Sequence, residues 1–248
     1  MNLKIADIRA GDILMCYSSM TAEEKSAIGT GYSHVALALR EKLVLEASHK
    51  GVKIVSVEGI LEDYDHIAVL RELNTNELWN EDRLNCLDQF AAQNIDKSFN
   101  KWGFARFPER KATYQGDVME RLDDHFEGTT PEVASIRELY FCSELVTAAF
   151  IYVGIIEKSA AIVFTPETFS PSDIAEEKAF GYFCGYVKCT PDYIVPDRDF
   201  FYEQHIVDRL ASFTQHSEAL LKTIATALER MLSVFGRSLS GQVQANNF

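Results

Sequence analysis

Tyr32-Ser33-His34-Val35-Ala36-Leu37-Ala38-Leu39, followed after Arg40-Glu41-Lys42 by Leu43-Val44-Leu45-Glu46-Ala47-Ser48, decides the fold of this chain. In a strand, Val35, Leu37 and Leu39 fall on one face; His34, Ala36 and Ala38 fall on the other, which is small except for the imidazole. In the second run Leu43, Leu45 and Ala47 alternate with Val44, Glu46 and Ser48. Two hairpin registers are open. A two-residue turn at Glu41-Lys42 sets Leu37 opposite Glu46 and buries a carboxylate among leucines. A connection through Arg40-Glu41-Lys42 sets Leu37 opposite Leu45, Leu39 opposite Leu43 and Ala36 opposite Glu46. A slip of one residue exchanges the two faces, so the apolar pattern selects the second register. His34 and Glu46 are then diagonal neighbours on one face, and the small residues around them leave room for a helix to pack close.

Far down the chain, Phe141-Cys142-Ser143-Glu144-Leu145 opens an apolar run from Leu139 to Val153 that Gly154 ends, a helix with its stop signal. Cys142 falls in the first turn, where unpaired N–H groups and the helix dipole favour a thiolate. A cysteine on an apolar helix is ordinarily a small buried hydrophobe. Position in the first turn, and a histidine with a same-face carboxylate elsewhere, make Cys142 the candidate nucleophile, His34 the base and Glu46 the orienting group. Glu144 reads at least as well as a complement to the helix dipole. The other histidines, His49, His66, His125, His205 and His216, sit in polar or turn-rich surroundings and read as surface residues. Cys16 and Cys86 read as interior thiols.

The remaining strand signals are Ile13–Tyr17 after the Gly11-Asp12 turn, then 52–57, 67–70 and 180–187; Thr21 to Ala27 and Glu81 to Ser98 read as helices. Residues 107–138 are polar and turn-rich and read as an insertion. Residues 191–248 read as a C-terminal helical extension, with apolar spacing over 198–235 suited to a partner or a dimer and a disordered tail from Gly236. The expected core domain is 1–190.

At 248 residues and 47% hydrophobic the chain can bury a full core. A net charge of −13 argues against nucleic acid or an anionic membrane as partner. No stretch approaches a membrane span of roughly 20 apolar residues, and no secretory signal opens the chain. The protein is therefore expected in the cytoplasm, or exported without a cleavable signal peptide. Five cysteines without a CxxC argue against a disulfide framework and against zinc. No cofactor or metal is expected.

Together, Gly11-Asp12-Ile13-Leu14, Tyr32-Ser33-His34-Val35, Leu45-Glu46-Ala47 and Phe141-Cys142-Ser143-Glu144-Leu145-Val146 resemble the circularly permuted NlpC-like branch of the papain-fold hydrolases, the YiiX/YaeF-like group. Thr165-Pro166-Glu167-Thr168 and Ser170-Pro171-Ser172-Asp173-Ile174 resemble that group's region after the cysteine helix. The histidine precedes the cysteine, the permuted order. The resemblance covers about 1–190. It implies an α+β, permuted papain-like fold with an antiparallel sheet or small barrel on the cysteine helix. It also implies Cys142, His34 and Glu46 as catalytic residues, with many non-permuted relatives carrying His, Asn or Gln at the position of Glu46.

The reaction expected is hydrolysis through an acyl-thioester. Backbone N–H groups of the cysteine helix (that of Ser143 among them) would hold the oxyanion, and Asp12 or Tyr32 would shape the cleft. An amide in a peptidoglycan-type peptide is the leading substrate. A lipid or acyl-ester hydrolase or acyltransferase with the same triad is the alternative, and a papain-like binding module without turnover is the reading from another class. A wall peptide calls for a polar cleft with a carboxylate for its free amine; an acyl chain calls for an apolar channel.

Overall fold

A computed structural model describes residues 1–18, 30–72, 75–116, 118–129, 136–157 and 164–202. The helix expected over 21–27 and the extension beyond 202 lie outside the described residues. The strands are β1 (Ile13–Tyr17), β2 (Tyr32–Ala38), β3 (Leu43–Ser48), β4 (Gly51–Ser56), β5 (His66–Arg71), β6 (Ser98–Phe99), β7 (Leu139–Tyr140) and β8 (Tyr182–Lys188). The helices are α1 (Val57–Leu61), α2 (Thr75–Leu78), α3 (Glu81–Asn94), α4 (Lys101–Ala105), α5 (Phe107–Gly116), α6 (Val118–Phe126), α7 (Cys142–Tyr152) and α8 (Pro171–Glu176). The class is α+β: six antiparallel strands in the order β4-β3-β2-β1-β5-β8, with helices against them and β6 and β7 as a short parallel pair.

The β2–β3 hairpin takes the register in which Leu37 faces Leu45 and Ala38 faces Val44. Its connection is a turn over Arg40–Lys42 with Glu41 and Lys42 at positive φ, closed by Leu39 N–H donating to the Leu43 carbonyl at 2.7 Å. Arg40 anchors the turn to α3 through Glu81 (2.6 Å) and Asp88. Leu37 and Leu45 are completely buried. Full burial of a leucine contributes about 1.5–3 kcal/mol, so a slipped register would forfeit that at each position and bury Glu46 as well.

One face of the sheet carries Leu14, Cys16, Ala36, Ala38, Val44, Ile67, Val69 and Val187, and Ile8, Val57 and Ile60 fill it. The small side chains therefore admit α1 and the N-terminal segment, not the cysteine helix. Ile13, Met15, Val35, Leu37 and Leu45 alternate onto the opposite face and are equally buried, and α7 packs against β2 and β3 there. Nearly all of α7 is buried, so its sequence is apolar all round and not amphipathic. Gly154, at φ +74°, supplies the left-handed stop after it. At Gly11 (φ +90°) a Cβ would lie 2.2 Å from the Trp79 ring, so only glycine permits this turn into β1.

Two stretches add detail to the sequence reading. Residues 107–138 are not all turns, because α5 and α6 run through their first part; Pro108 sits in the opening turn of α5, where its missing N–H costs nothing. The first compact unit runs Met1–Asp199, ten residues or so beyond the boundary read from sequence; Asp199 belongs to it by hydrogen bonds to Tyr32 and Tyr186.

Candidate active site

Backbone geometry brings Cys142 to β2. N–H groups along a strand point alternately to its two neighbours; Leu39 donates toward β3 and Ala38 toward β1, where it meets the Asp12 carbonyl. Val35 therefore points toward β3. The β2–β3 pairing covers Leu37 and Ala38 only, so the Val35 N–H finds the sulfur of Cys142 instead of a strand partner. The Ser143 N–H, in the first turn of α7, also points at that sulfur.

His34 lies across from Cys16 in the β1–β2 ladder, and its Nε2 is 3.0 Å from Glu46 Oε2. That bond leaves Nδ1 to the side of the Cys142 sulfur, whose influence raises the imidazole pKa. Burial alone would drive the proton off His34. The hydrogen bonds to Cys142 and Glu46, and the negative charges behind them, outweigh burial and hold its pKa up at about 9. At Cys142 burial opposes the thiolate. The His34 hydrogen bond and charge, with the N–H groups of Val35 and Ser143, prevail and hold the thiol below its ordinary value. Glu46 is likewise kept below the usual carboxylate range: burial works against it, and the bond and charge of His34 win. Glu46 thus bonds the imidazole, and the imidazole in turn is the chief influence that lowers the Cys142 thiol.

The other expected site residues are placed differently. Asp12 is buried at the far end of β1 from Cys16, held by Arg71 at 2.6 and 2.7 Å, and does not reach the cysteine. Tyr32 is turned away by a bulge: Cys16 pairs with His34 but Tyr17 pairs with Tyr32, so Ser33 is the extra residue and Tyr32 joins the Tyr17 face. There its hydroxyl meets His66 Nε2 (3.0 Å) and Asp199 Oδ2 (2.9 Å). His66 is completely buried, with Tyr193 on its Nδ1 at 3.2 Å, and is not the surface residue that its neighbours in sequence suggest. Ser143 does sit at the site, but its side chain is spent on the Phe169 carbonyl at 2.6 Å. Glu144 caps α7 by accepting from the Phe141 N–H and pairs with Arg137, which also pairs with Glu167.

Two features were missed. Tyr64, in the loop between α1 and β5, lays its ring parallel to the His34 imidazole within 3°, centroids 5.6 Å apart. Nothing in Asp63-Tyr64-Asp65 signals this, since loop residues carry no periodicity. The second is a cavity of about 590 Å³ between the α5–α6 insertion and residues 165–168. Arg106, Arg110, Glu109, Glu120, Asp124 and Glu167 are among its lining. It adjoins the loop whose Phe169 carbonyl seats Ser143, and Phe107 of α5 packs edge-on to Phe141 at 6.3 Å.

The chain is similar to a probable lipoprotein peptidase, YaeF, of Escherichia coli strain K12: 28% identical over 160 residues, 60% of this chain and 57% of the relative. The chain thus spans a little over half the length of that curated protein. No family model matches, and no solved structure matches.

Proposed function

We propose that the protein is a cysteine peptidase that cleaves an amide bond in a peptidoglycan-type peptide, with Cys142 as nucleophile, His34 as acid and base, and Glu46 as orienter. The observation that carries this is the 3.0 Å bond from Glu46 to His34, with the Cys142 sulfur at a helix N-terminus and its thiol lowered, against burial, chiefly by that imidazole. Similarity to a protein named as a probable peptidase supports the reaction class. The cavity between α5, α6 and residues 165–168, lined by arginines and carboxylates, offers a polar surface of the kind a peptide would use, although Cys142, His34 and Glu46 do not line it.

The Cys142 thiol is held below its ordinary value while His34 is held up at about 9, which favours a thiolate–imidazolium pair as the attacking state. The sulfur attacks the carbonyl carbon, and the π electron pair moves onto oxygen. Collapse breaks the C–N bond, and the His34 proton goes to the departing amine. The neutral imidazole then takes a proton from water, whose oxygen attacks the thioester; the acid leaves and the thiolate returns. Glu46 holds the ring and stabilises its positive form throughout.

Incubation with peptidoglycan fragments, beside a panel of phospholipids and acyl esters, tests both halves by mass spectrometry of products. Peptide cleavage by the wild-type protein that disappears in Cys142→Ala is the expected result. Full hydrolysis by Cys142→Ala would reject the site; acyl release without peptide cleavage would reject the substrate.

A further inference from the structure

Tyr64 is a half-buried phenol whose hydroxyl has no hydrogen-bond partner among the described residues. The hydroxyl is not shut off from solvent, so it lies open to an incoming substrate. Its ring is parallel to His34, and its surroundings include Cys16, Cys142 and Glu46. The two side chains that the sequence offers for shaping the cleft, Tyr32 and Asp12, are committed elsewhere, to Asp199 and to Arg71. Burial pushes the Tyr64 phenol above its ordinary pKa, so it stays a neutral donor throughout the range in which the pair of His34 and Cys142 is charged.

Building on the proposed nucleophile, we propose that Tyr64 is a catalytic residue whose O–H donates a hydrogen bond to the substrate's carbonyl oxygen as that oxygen gains negative charge. When the Cys142 sulfur forms its bond to the acyl carbon, the C=O pair settles on oxygen. The Tyr64 proton is shared with that oxygen but not transferred, and collapse restores the C=O and expels the leaving group. Parallel packing on the imidazole fixes the phenol beside the reacting atoms, so the bond needs no rearrangement at the moment of reaction.

Two reagents separate this role from a merely structural one. Iodoacetamide alkylates a thiolate by displacement at a saturated carbon and builds no oxyanion; p-nitrophenyl acetate acylates it through one. In the full chain, Tyr64→Phe is expected to keep the iodoacetamide rate at Cys142 within about twofold. The p-nitrophenol burst should slow by about 10- to 100-fold, the lower part of the range for losing one oxyanion donor. A burst as fast as wild type overturns the donor role, and equal slowing of both reagents overturns it in favour of a packing role. A wild-type Cys142 that alkylates but gives no burst also overturns it. A wild-type Cys142 that iodoacetamide leaves untouched sinks the nucleophile assignment itself, a different failure. Tyr64→Leu, which also removes the ring, is expected to lower the alkylation rate, and its circular dichroism checks the fold.

Discussion

At His34 three groups compete for one proton, and the outcome sets the pH range of the site. Because its pKa is raised to about 9 while that of Cys142 is lowered, the imidazolium–thiolate pair persists between the two. Below the lowered thiol value the sulfur is protonated and cannot attack. Above about 9 His34 has lost the proton that the leaving amine needs. On the proposed mechanism, the rate of peptide cleavage should fall on both sides, with the alkaline limb near 9. Glu46→Gln removes a negative charge from Nε2, so the imidazolium is less favoured and the alkaline limb should move to lower pH. Turnover should drop by about 10²-fold or more, since loss of a triad carboxylate typically costs up to about 10⁴. An unchanged alkaline limb in Glu46→Gln would mean that the carboxylate does not act on His34. Cys16 supplies the control, because burial first, then the charges of Glu46 and Cys142, push its thiol well above the ordinary value and leave it inert to alkylation.

The strands show how much of the site the sequence could disclose. The hairpin register was legible because exchanging Leu37 and Leu45 for Ala36 and Glu46 in the core is costly, and that cost is written in alternating residues. The helix start at Cys142 was legible from Glu144 and the apolar run after it. The bulge at Ser33 was not, since an extra residue in a strand leaves no compositional trace, and it reverses the face of Tyr32. Tyr32 and His66 therefore belong to a buried cluster with Asp199, Tyr186 and Tyr193, whose partners lie far apart in sequence. Tyr32→Phe leaves His66 and Asp199 each short of a partner in the interior. Stability in urea should fall by about 1–3 kcal/mol, the usual cost of an unsatisfied buried polar group. A loss within 0.5 kcal/mol would show that the direct contact of His66 Nε2 with Asp199 Oδ2, at 3.4 Å, already serves these groups. Arg71→Met should cost more, about 3–5 kcal/mol, because Asp12 would be left charged and fully buried without its guanidinium.

Across the first compact unit, the segment after β8 matters as much as the sheet it covers. Tyr193 and Asp199 come from 189–199, a stretch with turns and no strand, and they satisfy polar atoms on three strands: Tyr32 on β2, His66 on β5 and Tyr186 on β8. The prolines at 191 and 196 read in sequence as a boundary, but proline marks only where regular structure ends, not where packing does. Asp199 is itself buried and kept below the ordinary carboxylate range: burial opposes its charge, and hydrogen bonds from His66, Tyr186 and Tyr32 prevail. Its stabilising contribution is therefore present above the usual carboxylate pKa and lost as pH falls through the lowered one. Two shortened chains test the argument. A chain of residues 1–202 retains every partner in the cluster and should unfold cooperatively. A chain of residues 1–190 removes Asp199 from Tyr32 and Tyr186 and Tyr193 from His66 Nδ1, while Tyr32 and His66 keep their bond to each other; each interior group left unsatisfied costs about 1–3 kcal/mol. Against a total stability of about 5–15 kcal/mol, that sum is enough to lower the urea midpoint sharply or abolish the transition. Equal midpoints for the two chains would show that the sheet closes without Asp199. A difference abolished by Asp199→Asn in the longer chain would trace it to this one carboxylate.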